Sequence, residues 1–165
     1  MGALKWVESE GGPLIVLERE AMNSWNGYRG SDYENACEVE DYVGLVEFGE
    51  RSSPSLALAI NDDPLPASFL KEFSAMVQWM AASSEERLVA AVRDGIGLID
   101  DWAEGACMRI IKSVVVFDAA LPGDATDGDL LVLDLEPGAY RIKTADIETL
   151  EGVCARVHVF EWVSD

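Results

Sequence analysis

Short apolar runs of strand length, each stopped by glycine, proline or aspartate, most constrain what this chain can fold into. LIVL at 14–17, VVVF at 114–117 and LLVL at 130–133 are short, rich in branched side chains and bounded by turn residues. Such runs read as strands. None approaches the ~20 apolar residues needed to cross a bilayer as a helix. Strand expectations fall at 4–8, 13–18, 42–49, 55–62, 74–81, 108–119, 129–136, 139–147 and 153–163. In 139–147, Tyr140, Ile142 and Thr144 alternate with Arg141 and Lys143, the pattern of a half-exposed antiparallel strand.

Turn chemistry arranges these runs. Gly11-Gly12-Pro13 combines permissive glycines with a fixed proline φ, so 4–8 and 13–18 read as strand, sharp turn, strand, with Glu8 and Glu10 presented at an edge. The polar turn 49–54 joins 42–49 to 55–62, which ends at Asp62-Asp63-Pro64. Glu136-Pro137-Gly138 would join 129–136 to 139–147 through a type II turn. One clear helix is expected at about 84–94. Ser83 stands three before Glu86 at capping-box spacing, Leu88, Val89 and Val92 form an apolar stripe, and Gly95 would end it. Short helical turns are expected at 19–25 and 98–105. The fold class is α+β, mainly antiparallel β-sheet, in a single domain over 1–165. That length can bury about two-thirds of the unfolded surface.

Charge narrows the function. Thirty-one acids against twelve bases give a net charge of −19. Such a surface repels nucleic acid and anionic membrane and steers basic partners. The charge is also blocked: 31–50 holds seven acids and no base, and 113–140 holds six acids and no base. One-sign blocks mark a solvated face or an interaction face. Cys37, Cys107 and Cys154 are odd in number and widely spaced, which suits reduced core thiols in a cytoplasm.

Catalytic vocabulary is sparse. The single His158 shares a strand face with Phe160 and Trp162, where a core or sheet-surface role outweighs a catalytic one. No phosphate loop or dinucleotide fingerprint is present. Zinc lacks a spaced ligand set, and no catalytic residue, metal site or cofactor is assigned. Asp124, Asp127 and Asp129 superficially suggest a calcium loop but lack the closing glutamate of an EF-hand. Trp25 lies in a Gly/Asn/Ser-rich loop with Tyr28 and Tyr33, as a contact residue or as the anchor of that loop.

The stretch WVESEGGPLIVL at 6–17, Trp25-Asn26-Gly27, residues 32–44, Asp63-Pro64-Leu65-Pro66 and the Trp79 strand followed by a helix together resemble the immunity protein 21 family. The resemblance is most specific at 8–17 and 37–44 and thins after about 105. It implies a non-catalytic bacterial cytoplasmic protein that binds and neutralises a cognate toxin C-terminal domain, a nuclease or other nucleic-acid-acting toxin fitting the acidic charge. The expected contact face is Glu38, Glu40 and Asp41, flanked by Asp32, Glu34, Tyr33 and Trp25, with Gly11, Gly12 and Pro13 as a structural turn. The alternatives are an acidic regulatory module for a basic partner, and a small calcium-binding or acidic enzyme domain.

Overall fold

The structure, a computed structural model, describes residues 3–61 and 64–165. Among these, ten strands form two five-stranded antiparallel sheets, with two α-helices and several 3-10 turns between them. The first sheet takes β1 (Leu14–Glu18), β2 (Val43–Phe48), β3 (Ser55–Ile60), β7 (Val114–Asp118) and β8 (Leu131–Leu133), in the order β2-β3-β1-β7-β8. The second takes β4 (Ala67–Leu70), β5 (Ala75–Ala81), β6 (Ala103–Ile110), β9 (Gly138–Glu148) and β10 (Cys154–Ser164), in the order β4-β5-β10-β9-β6. The class is α+β and mainly antiparallel sheet, as the short apolar runs require.

The sheets pack face to face. Leu14, Val16, Leu58, Ile60, Val114 and Val116 of the first meet Met76, Met108, Ile110, Tyr140, Ile142 and Phe160 of the second. The alternate residues of β1 and β7, namely Ile15, Leu17, Val115 and Phe117, point the other way and are equally buried. That explains the unbroken LIVL and VVVF. A strand covered on both faces has no solvent side on which polar residues would alternate. β9 does alternate: Tyr140, Ile142 and Thr144 are buried while Arg141 and Lys143 are partly exposed.

Each sheet has a cover on its outer face. The second sheet is covered by α2 (Glu85–Gly95), which buries Leu88, Ala91 and Val92 against Val77, Ala155, Val157 and Ile147. Fully burying a Leu or Val side chain contributes about 1.5–3 kcal/mol. The Ser84 hydroxyl caps this helix by accepting from Arg87 N at 3.2 Å, so the cap is Ser84 and not Ser83. Gly95 stays helical and passes into a 3-10 turn at Ile96–Leu98, and its bare Cα lets Ile147 pack closely against it. Trp6 lies beside α2, donating from Nε1 to Glu85 at 2.7 Å and meeting Trp79 edge-on. The first sheet is covered by 3-10 turns at Arg19–Ser24 and Gly27–Arg29, by α1 (Asp32–Cys37) and by the loop at 119–130.

The structure corrects the expected pairings at three points where the chain changes sheets. Residues 4–8 do not form a hairpin with β1. Val7 makes a single bridge to Ala67, and the Gly-Gly-Pro turn then carries the chain across to the first sheet. The run 108–119 is two strands, broken at Ile111, Lys112 and Ser113, with β6 in one sheet and β7 in the other. β8 and β9 are likewise in different sheets, so Glu136-Pro137-Gly138 is a crossing and not a hairpin turn. The pairing of β2 with β3 holds, Val43 opposite Ile60 and Phe48 opposite Ser55. Strand β4 and helix α1 had not been expected, and β6 begins at Ala103, where a turn or short helix had been expected. The expected turn at Asp62-Asp63 lies outside the described residues.

The thiols also need correction. Cys37 and Cys107 are exposed and Cys154 half-buried, all three free. Cys37 closes α1 on its outer side, and Cys107 lies on the edge strand β6, its neighbours Met108 and Ile110 taking the core positions.

Candidate partner-binding surface

The cover of the first sheet is where the acidic blocks meet. Residues 19–42 and 119–130 lie side by side, tied by backbone bonds from Tyr28 N to Ala120 O at 2.9 Å and from Gly123 N to Trp25 O at 2.8 Å. Together they carry nine acids (Glu20, Asp32, Glu34, Glu38, Glu40, Asp41, Asp124, Asp127 and Asp129) against Arg19 and Arg29. Arg29 is already engaged by Asp124 at 2.9 Å, and the neighbouring carboxylate holds the guanidinium pKa above its ordinary value.

The expected contact residues separate into two groups. Glu34, Glu38, Glu40 and Asp41 are exposed, and none makes an ion pair among the described residues. They follow from α1 into the start of β2, the edge strand of its sheet. Trp25 and Asp32 do not belong to that exposed face. Trp25 is 1% exposed; its Nε1 donates to Ala119 O at 2.9 Å and its ring meets Phe48 edge-on at 5.3 Å. A buried indole needs a hydrogen-bond acceptor, and a backbone carbonyl nearly a hundred residues away supplies it. Asp32 is 7% exposed and accepts from Asn26 N at 2.7 Å, closing the turn that precedes α1.

Tyr33 is half-buried between these groups. Its ring fits against Gly12, where any Cβ would overlap it. A hydrogen bond with Cys37 chiefly, then burial, then negative charge at Cys37 and Asp118 raise its hydroxyl pKa above the ordinary tyrosine value. The Gly-Gly-Pro turn therefore has a local reason for each member. Gly11 has φ +136°, Gly12 gives way to a ring, and buried Pro13 accepts from Ala119 N at 3.0 Å. Ser9 braces the turn by donating from its hydroxyl to Gly12 O at 2.5 Å.

Chemistry elsewhere is enclosed. His158 is 0% exposed, with Nδ1 2.8 Å from the Thr144 hydroxyl and Nε2 2.7 Å from Gln78 Oε1. Burial, with Arg156 adding to it and Asp146 opposing, pushes its pKa down to about 3, so the imidazole is neutral. One ring nitrogen donates and the other accepts, a satisfied row across three strands that solvent does not reach. Arg156 donates to both Asp146 oxygens, at 2.8 and 3.1 Å, and stacks under Tyr42. Asp124 pairs with Arg29, and among the described residues no three acids, histidines or cysteines converge on a cation position. Nor does any described helix have the length and apolarity to cross a membrane.

Sequence reasoning missed Asp118 and underused Tyr28 and Glu10. Asp118 ends β7, is 6% exposed, and accepts from Glu10 N at 3.2 Å and Ala120 N at 3.0 Å. An aspartate closing a β-branched run was its only signal. What it is doing there depended on a turn a hundred residues earlier.

No characterised protein and no solved structure matches the chain. The sequence model of immunity protein 21, however, matches residues 5–153, which takes in all of the first sheet, strands β4, β5, β6 and β9 of the second, both covers and the whole acidic layer. The chain belongs to the immunity protein 21 family.

Proposed function

We propose that this protein is a non-catalytic immunity protein, acting as one unit over its length, that binds and neutralises a cognate toxin domain through the acidic cover of its first sheet. The observation that carries the reading is the exposed row Glu34, Glu38, Glu40 and Asp41, without ion pairs among the described residues, in a layer of nine acids and two bases, within a chain of the immunity protein 21 family. A basic cleft, such as the substrate site of a nuclease, is the complementary surface. Opposed charge steers encounter to about 10⁸–10⁹ M⁻¹s⁻¹ at low salt. A cytoplasmic setting, where such a toxin would act, belongs to the same reading.

The test uses the inactivated C-terminal domain of the toxin-like protein encoded beside this one. Reversing Glu38, Glu40 and Asp41 to lysine together should weaken binding, chiefly through a slower on-rate, and flatten its salt dependence while the melting temperature stays nearly unchanged. Unchanged affinity would remove this row from the interface. An absence of binding by the unmodified protein at micromolar concentrations would remove the immunity reading for that pair and favour an acidic regulatory module.

A further inference from the structure

Beside the acidic layer the surface opens into a cavity of about 330 Å³, walled by Glu10, Gly12, Tyr28, Tyr33, Asp118 and Leu121. We propose that this cavity receives one basic side chain, lysine or arginine, of the partner protein, and is the anchoring point of the interface. The inference rests on the immunity reading and adds to it a site and a ligand chemistry.

Four features of the cavity agree on that occupant. Its floor holds the carboxylate of Asp118, 6% exposed, which spends its bonds on two backbone N–H groups and has no cation among the described residues. A carboxylate offers about four lone-pair sites, so acceptor capacity remains, and a charge buried without a counter-ion gains from one that arrives. Its mouth holds a second carboxylate, Glu10, which is exposed. Its wall is aromatic: Tyr28 leaves 65% of its surface in solvent, a large apolar area beside the exposed acids of the cover. Finally, among the described residues no lysine, arginine or histidine lines it, and the nearby Arg29 is held by Asp124.

A long aliphatic stem packed on tyrosine rings, with a cationic head reaching a buried carboxylate, combines apolar contact, cation–π attraction and a charge-assisted hydrogen bond. The volume lies at the small end of ligand pockets, about 300–1,000 Å³, and suits one side chain better than a cofactor. Aromatic pockets filled by a desolvated charge are the usual place for binding energy to concentrate. The turn at 8–13 then has a second consequence. With Gly12 bare, Tyr33 can lie close enough to form one wall while Glu10 is carried to the rim.

The experiment measures affinity of the full chain for the same inactivated toxin domain. Tyr28→Ala and Glu10→Gln change exposed side chains, and Glu50→Gln, outside the cavity, controls for the lost charge. The expected result is about tenfold or greater weakening for Tyr28→Ala, a several-fold loss for Glu10→Gln and no change for Glu50→Gln. Asp118→Asn should weaken binding further, and is read only if its melting curve shows it folded. An alanine scan of the toxin domain's lysines and arginines follows, each combined with Tyr28→Ala. One basic residue whose loss is strongly non-additive with Tyr28→Ala identifies the occupant and its type. Wild-type binding with Tyr28→Ala and Glu10→Gln equally tight overturns the cavity and leaves the immunity reading standing. Weakened binding with no coupled basic residue overturns the occupant. If the unmodified protein does not bind, the immunity reading fails and this inference with it.

Discussion

The two covers of this molecule do the same thermodynamic job by opposite means. Over the second sheet lies a capped, amphipathic helix of eleven residues whose stripe of Leu88, Ala91 and Val92 would be apolar in any context. Over the first lie 3-10 turns, a six-residue helix and a loop, held down by single long-range contacts such as Trp25 on Ala119 and Phe48. The regular cover is built from local propensity. The irregular one is built from pins, and between its pins it is free to carry exposed acids and a cavity. A helix must commit one face to the core and follows its own period. A pinned loop commits only a few residues, and the rest can be shaped for recognition.

Perturbing each cover in turn puts that contrast to a test. Trp25→Ala should have the largest effect, about 3–5 kcal/mol in urea unfolding, with loss of toxin binding as the layer comes loose. A cost near that of a surface substitution would mean that the layer is held some other way. Leu88→Ala should cost about 2–5 kcal/mol but leave affinity unchanged under conditions where the protein is folded. Binding lost with Leu88→Ala at full folding would show that the two covers are coupled through the sheets.

A third variant probes what lies between the covers. His158 titrates near 3 in the folded protein and near 6.5 unfolded. Between those values the unfolded chain holds the extra proton. Stability from the neutral imidazole is therefore complete above pH 6.5 and falls by about 1.4 kcal/mol per pH unit below it. His158→Gln should flatten the stability profile between pH 6.5 and 5, before most carboxylates titrate. Identical slopes would show that the histidine gains a proton in the fold more easily than its burial allows. The smallest effect belongs to the regular cover. Ser84→Ala should cost about 1 kcal/mol and Ser83→Ala under about 0.5, measured by thermal unfolding, and the reverse order would return the cap to Ser83.

The same contrast decides how much could be read from the chain alone. Helix α2 was legible to within a residue because its cap, stripe and length are all local. The class was legible because LIVL, VVVF and the alternation around Ile142 have no other good use. What failed were the crossings. Glu136-Pro137-Gly138 and Gly11-Gly12-Pro13 are sound turn sequences, but turn chemistry does not say whether the next strand pairs with the last one or passes to the facing sheet. The polar break at Lys112-Ser113 was a usable signal, overridden by the apolar residues on either side. Helix α1 had one too, in the capping-box spacing of Ser31 and Glu34, although Ser31 makes no side-chain cap. At the candidate surface, Glu38, Glu40 and Asp41 are exposed, as a one-sign charge block leads one to expect. Trp25 takes the loop-anchoring role its sequence also offered, and Asp32 is buried beneath the exposed acids; their partners, Ala119 O and Asn26 N, belong to the fold and not to the pattern.

The crossings also set the order in which the chain can become itself. Leu14 pairs with Asp118, and Ala81 with Cys154, so β1, central in the first sheet, waits for a neighbour synthesised much later, and β5 waits for β10, the central strand of the second. Long-range pairing of this kind makes for slow folding, typically milliseconds to seconds. Until β7 is made, β1 offers an unpaired edge that is apolar from Leu14 to Leu17, which is the kind that aggregates. Nor can the acidic cover settle early, since its pins reach Ala119 and Ala120. A chain interrupted before that point carries most of the acids but no face on which to display them.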